Sequence, residues 1–127
     1  MLYGSDEDNA LTERIIGCAI EIHRVLGPGL LESVYELALT RELRDAGLSF
    51  QRQVAAPVYY KGESIAAHRP DLVVAGRVVV EVKSVTRLEP VHTAQLLTYL
   101  QILQLRIGLL LNFNVAVMKH GIRRVMR

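Results

Sequence analysis

Three ionisable side chains on neighbouring predicted strands have the types and spacing of a metal site. Side chains alternate along a strand, so Glu81 and Lys83 share one face of the segment Val78–Lys83. A tight turn around Gly76 sets Asp71 opposite Glu81 to Lys83, with the register open by a residue or two. Two adjacent carboxylates repel each other, and a divalent cation with oxygen ligands relieves that repulsion. Since a nearby lysine can position a water or stabilise charge on a phosphate, the pattern indicates a metal site that acts on phosphate.

The same three residues also fit an ordinary ion-pair network. The tripeptide Glu-x-Lys is common in strands, and an isolated ion pair contributes little to stability. Removing a carboxylate from such a network destabilises the fold, whereas neutralising one in a metal-free metal site is neutral or stabilising. Denaturation of a Glu81→Gln variant in chelator separates the two interpretations, and the residues alone leave both open.

Three predicted helices surround the strands that carry these residues. We expect residues 1–9 to form a flexible N-terminus, with Asn9 as the N-cap of the first helix. The Gly-Pro-Gly sequence at residues 27–29 breaks that helix, and Gly47 ends the second. Pro90 is well placed as the first residue of the third helix. Apolar spacing and these end signals predict helices over residues 11–26, 30–46 and 91–105.

The predicted strands form a mixed four-stranded sheet flanked by helices. The first three strands are joined by short turns and should form an antiparallel meander, with the second interrupted near Pro70. The passage from the third strand through a helix to the fourth implies a parallel pair. We predict these strands over residues 54–60, 64–74, 78–84 and 107–112, with short final strands at 115–118 and 122–126. The element order α-α-β-β-β-α-β predicts an α/β (α+β) fold in a single domain covering residues 1–127.

The motifs resemble those of the PD-(D/E)XK nuclease superfamily. Pro70 and Asp71 followed by Glu81-Val82-Lys83 match its signature. The Gly-x-x-Glu-x-x-Tyr pattern that begins at residue 29 is similar to the one that names the GxxExxY protein family. The similarity continues in order through residues 69–74, 80–84, 95–100 and 108–113. The resemblance implies a restriction-endonuclease-like core.

The resemblance also implies a role for each site residue. Asp71 and Glu81 would bind Mg²⁺ or Mn²⁺, with the backbone carbonyl of Val82 as a further ligand and Glu32 in contact through a water. Lys83 would serve the attacking water. Two residues spaced four apart on the third helix resemble the Gln-x-x-x-Tyr pattern of the exonuclease branch and would orient the lysine or a phosphate. These are Gln95 and Tyr99.

Two functions of different class follow from these residues. The first is a divalent-metal-dependent nuclease that hydrolyses phosphodiester bonds of DNA or RNA. The second is a non-catalytic module that retains the fold and binds nucleic acid or a protein, since the chain is small and has no strong basic patch. We expect a homodimer, because a second copy would extend a small binding surface. Tyr59 and Tyr60 could stack on bases, although adjacent strand residues face opposite sides.

The composition narrows the class of protein without selecting a function. The chain has 127 residues, and its net charge of +2 permits binding to a polyanion without arguing for it. Cys18 is the only cysteine, so an internal disulfide is excluded and a reducing, cytoplasmic location is expected. The N-terminus is acidic rather than signal-like, and no apolar run is long enough to span a bilayer.

Overall fold

The three helices lie close to their predicted positions in a computed structural model that describes residues 5–127. They are α1 (Asp6–Leu26), α2 (Glu32–Asp45) and α3 (Pro90–Leu103), and none in this range is long and apolar enough to cross a membrane. Helix α1 begins earlier than predicted, because Ser5 rather than Asn9 is its N-cap and accepts a hydrogen bond from Asp8 N. Residues 6–9 are therefore helical, and the predicted flexibility of residues 1–4 lies outside the described residues.

A five-stranded mixed sheet forms the centre of the fold, with one strand more than predicted. The strands are β1 (Phe50–Arg52), β2 (Ala56–Tyr60), β3 (Glu63–His68), β4 (Leu72–Val74), β5 (Val78–Lys83), β6 (Ile107–Asn112) and β7 (Ile122–Met126). The sheet order is β1-β4-β5-β6-β7, so both β1 and β7 belong to it. β5 and β6 are parallel, as the intervening helix predicted, and the other neighbours are antiparallel. β5 is thus a central strand with a partner on each side.

The predicted antiparallel meander is wrong in its strand pairing, whereas the interruption predicted near Pro70 is confirmed. Residues 64–74 form two strands, β3 and β4, separated at Pro70, which has no N–H to donate to a ladder. β2 and β3 pair only with each other, as a hairpin apart from the central sheet. β1, a short strand that the sequence did not reveal, takes the edge position next to β4. Residues 115–118 are not a strand, and a 3₁₀ helix covers Met118–Gly121.

Helices cover the sheet on both faces, so its central strand β5 is shielded from solvent. On one face α1 and α2 pack against alternate residues of β5 and β6, including Val80 and Leu109. On the other face α3 packs against Val79 and Leu110. Helix α3 can approach closely because a Cβ at Gly108 would lie 2.8 Å from the Leu96 side chain. Glu81 and Lys83 share the parity of Val79, so they belong to the face that α3 covers.

Candidate metal centre

Two hydrogen bonds from backbone amides fix the carboxylates of Asp71 and Glu81 next to each other. Asp71 directly precedes β4, and the register pairs the next residue, Leu72, with Val80. The backbone N–H of Asp71 donates to Glu81 Oε1 at 2.7 Å, and the backbone N–H of Val82 donates to Asp71 Oδ2 at 2.8 Å. One oxygen of each carboxylate is therefore held by a main-chain amide. The structure brings together the two carboxylates that the strand pattern predicted to be neighbours.

Burial makes ionisation of these two carboxyl groups unfavourable. Glu81 is only 7% exposed, and burial followed by the charge of Asp71 raises the pKa of its carboxyl to about 7. Burial likewise raises the pKa of Asp71 to about 6, although the hydrogen bond from Val82 N–H opposes this rise. Near neutral pH the pair therefore holds negative charge that is poorly solvated. An added cation would relieve that charge.

Lys83 is the nearest positive group on the same strand. Its Nζ lies 3.7 Å from Glu81 Oε2, and its charge lowers the pKa of both Asp71 and Glu81. The backbone of Lys83 is anchored because its carbonyl accepts a hydrogen bond from Phe113 N at 3.0 Å. The lysine thus stands beside the carboxylates but offsets only part of their charge.

Glu36 is a site residue that the sequence reasoning missed. It is buried on α2, and both its hydrogen bonding and its charge raise the pKa of Asp71, which puts the two carboxyl groups in contact range. Arg52 of β1 compensates this third carboxylate, with Nη2 at 2.6 Å from Glu36 Oε2. The sequence signal was present, because Glu36 and Glu32 share one helical stripe. The stripe alone does not say which of the two faces Asp71.

Glu32 lies at the edge of the site, next to the residue that follows Lys83, rather than beside Asp71. Its Oε1 accepts a hydrogen bond from the backbone N–H of Ser84, the residue that follows Lys83, and its side chain is exposed. Tyr35, three residues further along the same motif, is fully buried and stacks on Phe113 with ring centroids 4.5 Å apart. The Tyr35 hydroxyl donates to the Gly27 carbonyl at 2.6 Å, so this tyrosine secures the turn before α2.

Of the two predicted residues on α3, Tyr99 lies against the site. Burial raises the pKa of the Tyr99 hydroxyl, and the charges of Glu81 and Asp71 raise it further, so the hydroxyl lies within electrostatic range of both carboxylates. Its ring centroid is 5.9 Å from that of His68, at the end of β3. Gln95 lies one turn earlier and is exposed, and no hydrogen bond found in residues 5–127 joins it to either carboxylate.

The donor set suits a hard divalent cation. Among residues 5–127 no three His, Cys, Asp or Glu side chains are grouped as an all-protein metal cage. Magnesium does not need one, since it commonly uses one or two carboxylates and completes its shell with waters and substrate phosphate. Buried Glu81 and half-buried Asp71 supply two such carboxylates, and Lys83 offsets only part of their mutual repulsion. The residues present therefore fit a hard divalent cation.

The comparisons with known proteins agree with this geometry. A family model described as the PD-(D/E)XK nuclease superfamily matches residues 9–125, which is nearly the whole chain. No curated protein and no solved structure gave a significant match. The matched region contains the carboxylate pair and nearly all of the sheet and the three helices, since it omits only the first residues of α1 and the last residue of β7. The chain therefore belongs to the PD-(D/E)XK nuclease superfamily.

Proposed function

We propose that this protein is a nuclease that hydrolyses phosphodiester bonds of DNA or RNA with Mg²⁺ or Mn²⁺. The observation that carries the proposal is the pair of half-buried Asp71 and buried Glu81, fixed by two backbone amides beside Lys83. A structural ion pair needs one carboxylate for one lysine, whereas here two neighbouring carboxylates share the charge of Lys83. Membership of a nuclease superfamily supports the same reading.

Asp71 and Glu81 would hold the cation through the oxygens that no backbone amide binds. The carbonyl of Val82 can add a ligand, because the N–H and C=O of a residue in an antiparallel pair face the same neighbour, and Val82 N–H faces Asp71. Glu36 is the helix carboxylate best placed to join through a water, with Glu32 as the alternative expected from the motif. When bound, the cation supplies charge neutralisation at the scissile phosphate and lowers the pKa of an attacking water.

Lys83 and Tyr99 would act on the substrate beside the carboxylates. The Lys83 ammonium can donate to the attacking water or to a phosphate oxygen, and burial of the strand keeps that interaction away from competing solvent. The Tyr99 hydroxyl can donate to a phosphate oxygen or orient Lys83. Gln95 would join this group only if substrate binding draws it toward the site.

Cleavage of labelled single-stranded and duplex DNA and RNA by the purified protein, with Mg²⁺ or Mn²⁺ and with chelator, tests this function. We expect metal-dependent cleavage that Glu81→Gln and Lys83→Ala each reduce by about 100-fold or more. Glu13→Gln and Lys119→Ala are matched controls, because both side chains are exposed and lie outside the site. Nucleic-acid binding without cleavage under all these conditions would contradict the proposal and favour the non-catalytic binding module.

The homodimer expected from the small size of the chain stays a prediction. Large apolar side chains exposed on and between α1 and α2 support it, among them Val25, Leu31 and Leu37, because burial of such side chains stabilises an interface. A monomeric mass at every concentration in sedimentation equilibrium would contradict it. The cytoplasmic location predicted from the lone cysteine also stays a prediction, which fractionation of cells would test.

A further inference from the structure

A groove of about 530 Å³ lies between the β2–β3 hairpin and the C-terminal part of α3. Its floor is formed by half-buried apolar side chains from both elements, and its rim by two exposed residues, Tyr59 and Gln101. The volume falls within the range typical of small-ligand sites. The six residues that line the groove are Pro57, Val58, Tyr59, Gln101, Ile102 and Leu103.

The groove and the candidate metal centre lie along the same two elements, α3 and the β2–β3 hairpin. Leu103 lies one helical turn beyond Tyr99, which is about 6 Å along the axis, since each helical residue rises 1.5 Å. The hairpin returns to the site at its base, where Ala56 pairs with His68 and the His68 ring contacts Tyr99. Asp71 follows only three residues after His68. A chain whose phosphate lies at the carboxylates can therefore place an adjacent group in the groove.

The lining chemistry fits a nucleobase better than a phosphate. None of the six lining side chains is charged, so the groove offers no countercharge to a phosphate. A base has flat faces that stack on aromatic rings and an edge that forms hydrogen bonds. Tyr59 presents such a ring, with 66% of its surface exposed, and the Gln101 amide can both donate and accept. Among residues 5–127, no aromatic ring or cation is found against the Tyr59 ring, so the ring is open to stack on a base.

We propose that this groove binds an unpaired nucleobase next to the scissile phosphodiester, so that the protein selects single-stranded nucleic acid over intact duplex. The inference rests on the proposed nuclease function for its choice of ligand. In a duplex each base is stacked and paired, and bringing one into the groove would require unstacking it, which costs a few kcal/mol. Since Gln101 can both donate and accept, and since stacking is available to every base, the groove discriminates strandedness rather than sequence.

Fluorescence anisotropy with a labelled oligothymidylate of about ten nucleotides, and with a blunt duplex of equal length, tests the inference. The assay is run in chelator, so that neither probe is cut. We expect the single strand to bind about tenfold more tightly than the duplex. Tyr59→Ala should weaken single-strand binding about 5- to 100-fold, whereas Tyr59→Phe should stay within about twofold of the wild type, because it keeps the ring.

Tyr60→Ala is the matched control, because Tyr60 is the adjacent tyrosine of the same strand, is 59% exposed and does not line the groove. Its binding should equal that of the wild type. The inference is overturned if Tyr59→Ala binds like the wild type, if Tyr60→Ala loses as much affinity, or if the wild type shows no single-strand binding.

The groove proposal and the nuclease proposal can fail independently of each other. Single-strand binding that depends on Tyr59, without any cleavage, would support the groove and refute the nuclease proposal. Cleavage that depends on Glu81 with no effect of Tyr59→Ala on binding would do the reverse.

Discussion

Replacing Glu81 by glutamine should stabilise the metal-free protein at alkaline pH. The folded protein raises the pKa of this carboxyl from 4.5 to about 7, chiefly by burial and then through the charge of Asp71. Each tenfold change in an acidity constant is worth about 1.4 kcal/mol, so ionised Glu81 costs the fold about 3 kcal/mol. Glutamine removes the charge and keeps an oxygen that can accept the Asp71 N–H.

The sign of the pH dependence follows from the direction of the pKa change. A carboxyl whose pKa is higher in the folded than in the unfolded protein contributes most to stability below its unfolded pKa. That contribution is lost as the pH rises from about 4.5 through about 7. The advantage of Glu81→Gln should therefore be largest near pH 8 and shrink toward zero as the pH falls to about 4.5.

Thermal and urea denaturation in chelator across this pH range measures the effect. For a chain of this length, a gain of about 3 kcal/mol corresponds to a rise in Tm on the order of 10 °C. Glu13→Gln is the matched control, because it removes the same charge from an exposed position of α1 and should leave the Tm within about 2 °C. Comparison of the two variants also controls for the change in overall net charge, which is the same in both.

A Glu81→Gln variant that is less stable than the wild type at pH 8 in chelator would refute this reasoning. That result would mean that Glu81 is a net stabilising partner of Lys83, as in an ordinary ion-pair network. A gain that did not depend on pH would also refute it, since the stabilisation would then come from packing rather than from charge.

Three further results are expected. Mn²⁺ at about 100 times its Kd should raise the stability of the wild type by about 2.7 kcal/mol, and a similar rise in Glu81→Gln would contradict the assigned ligand. Glu36→Gln should weaken Mn²⁺ binding in calorimetry about 10- to 100-fold, and more than Glu32→Gln does, because Glu36 interacts with Asp71. A larger effect of Glu32→Gln would instead place Glu32 at the metal. Asn112→Ala should destabilise the fold by about 2–3 kcal/mol, which a lower urea midpoint would show. The reason is that the Asn112 side-chain amide is only 1% exposed and forms hydrogen bonds with both the N–H and the C=O of Val85. An unchanged midpoint would show that water replaces the amide.

Local sequence patterns were sufficient for the elements with strong periodicity. β6 has the predicted bounds Ile107–Asn112, and β5 ends one residue before its predicted end. Both strands are apolar on two faces because they lie inside the sheet, and that composition is visible in the sequence. The positions of Glu81 and Lys83 on one face follow from the same alternation. The Pro90 start of α3 followed from the fixed φ of proline at a first helical position.

The partners of the weaker strands depended on tertiary packing. Phe50–Arg52 is too short to be recognised by pattern, yet it forms the edge of the central sheet by pairing with β4. Residues 54–60 have a stronger strand pattern but form a hairpin outside that sheet. Alternation along a strand reports its faces and carries no information about its neighbour, so pairing across long sequence separation could not be read locally.

The sequence by itself determined which residue types form the centre of the site, and the tertiary structure decided which helix carboxylate joins them. Asp71, Glu81 and Lys83 are brought together by a short turn and by strand alternation, both of which are local. Glu36 and Glu32 are one helical turn apart and share a stripe, so their spacing makes them equivalent. The packing of Tyr35 on Phe113 sets the rotation of α2, and that rotation turns Glu36 toward Asp71 and leaves Glu32 at Ser84.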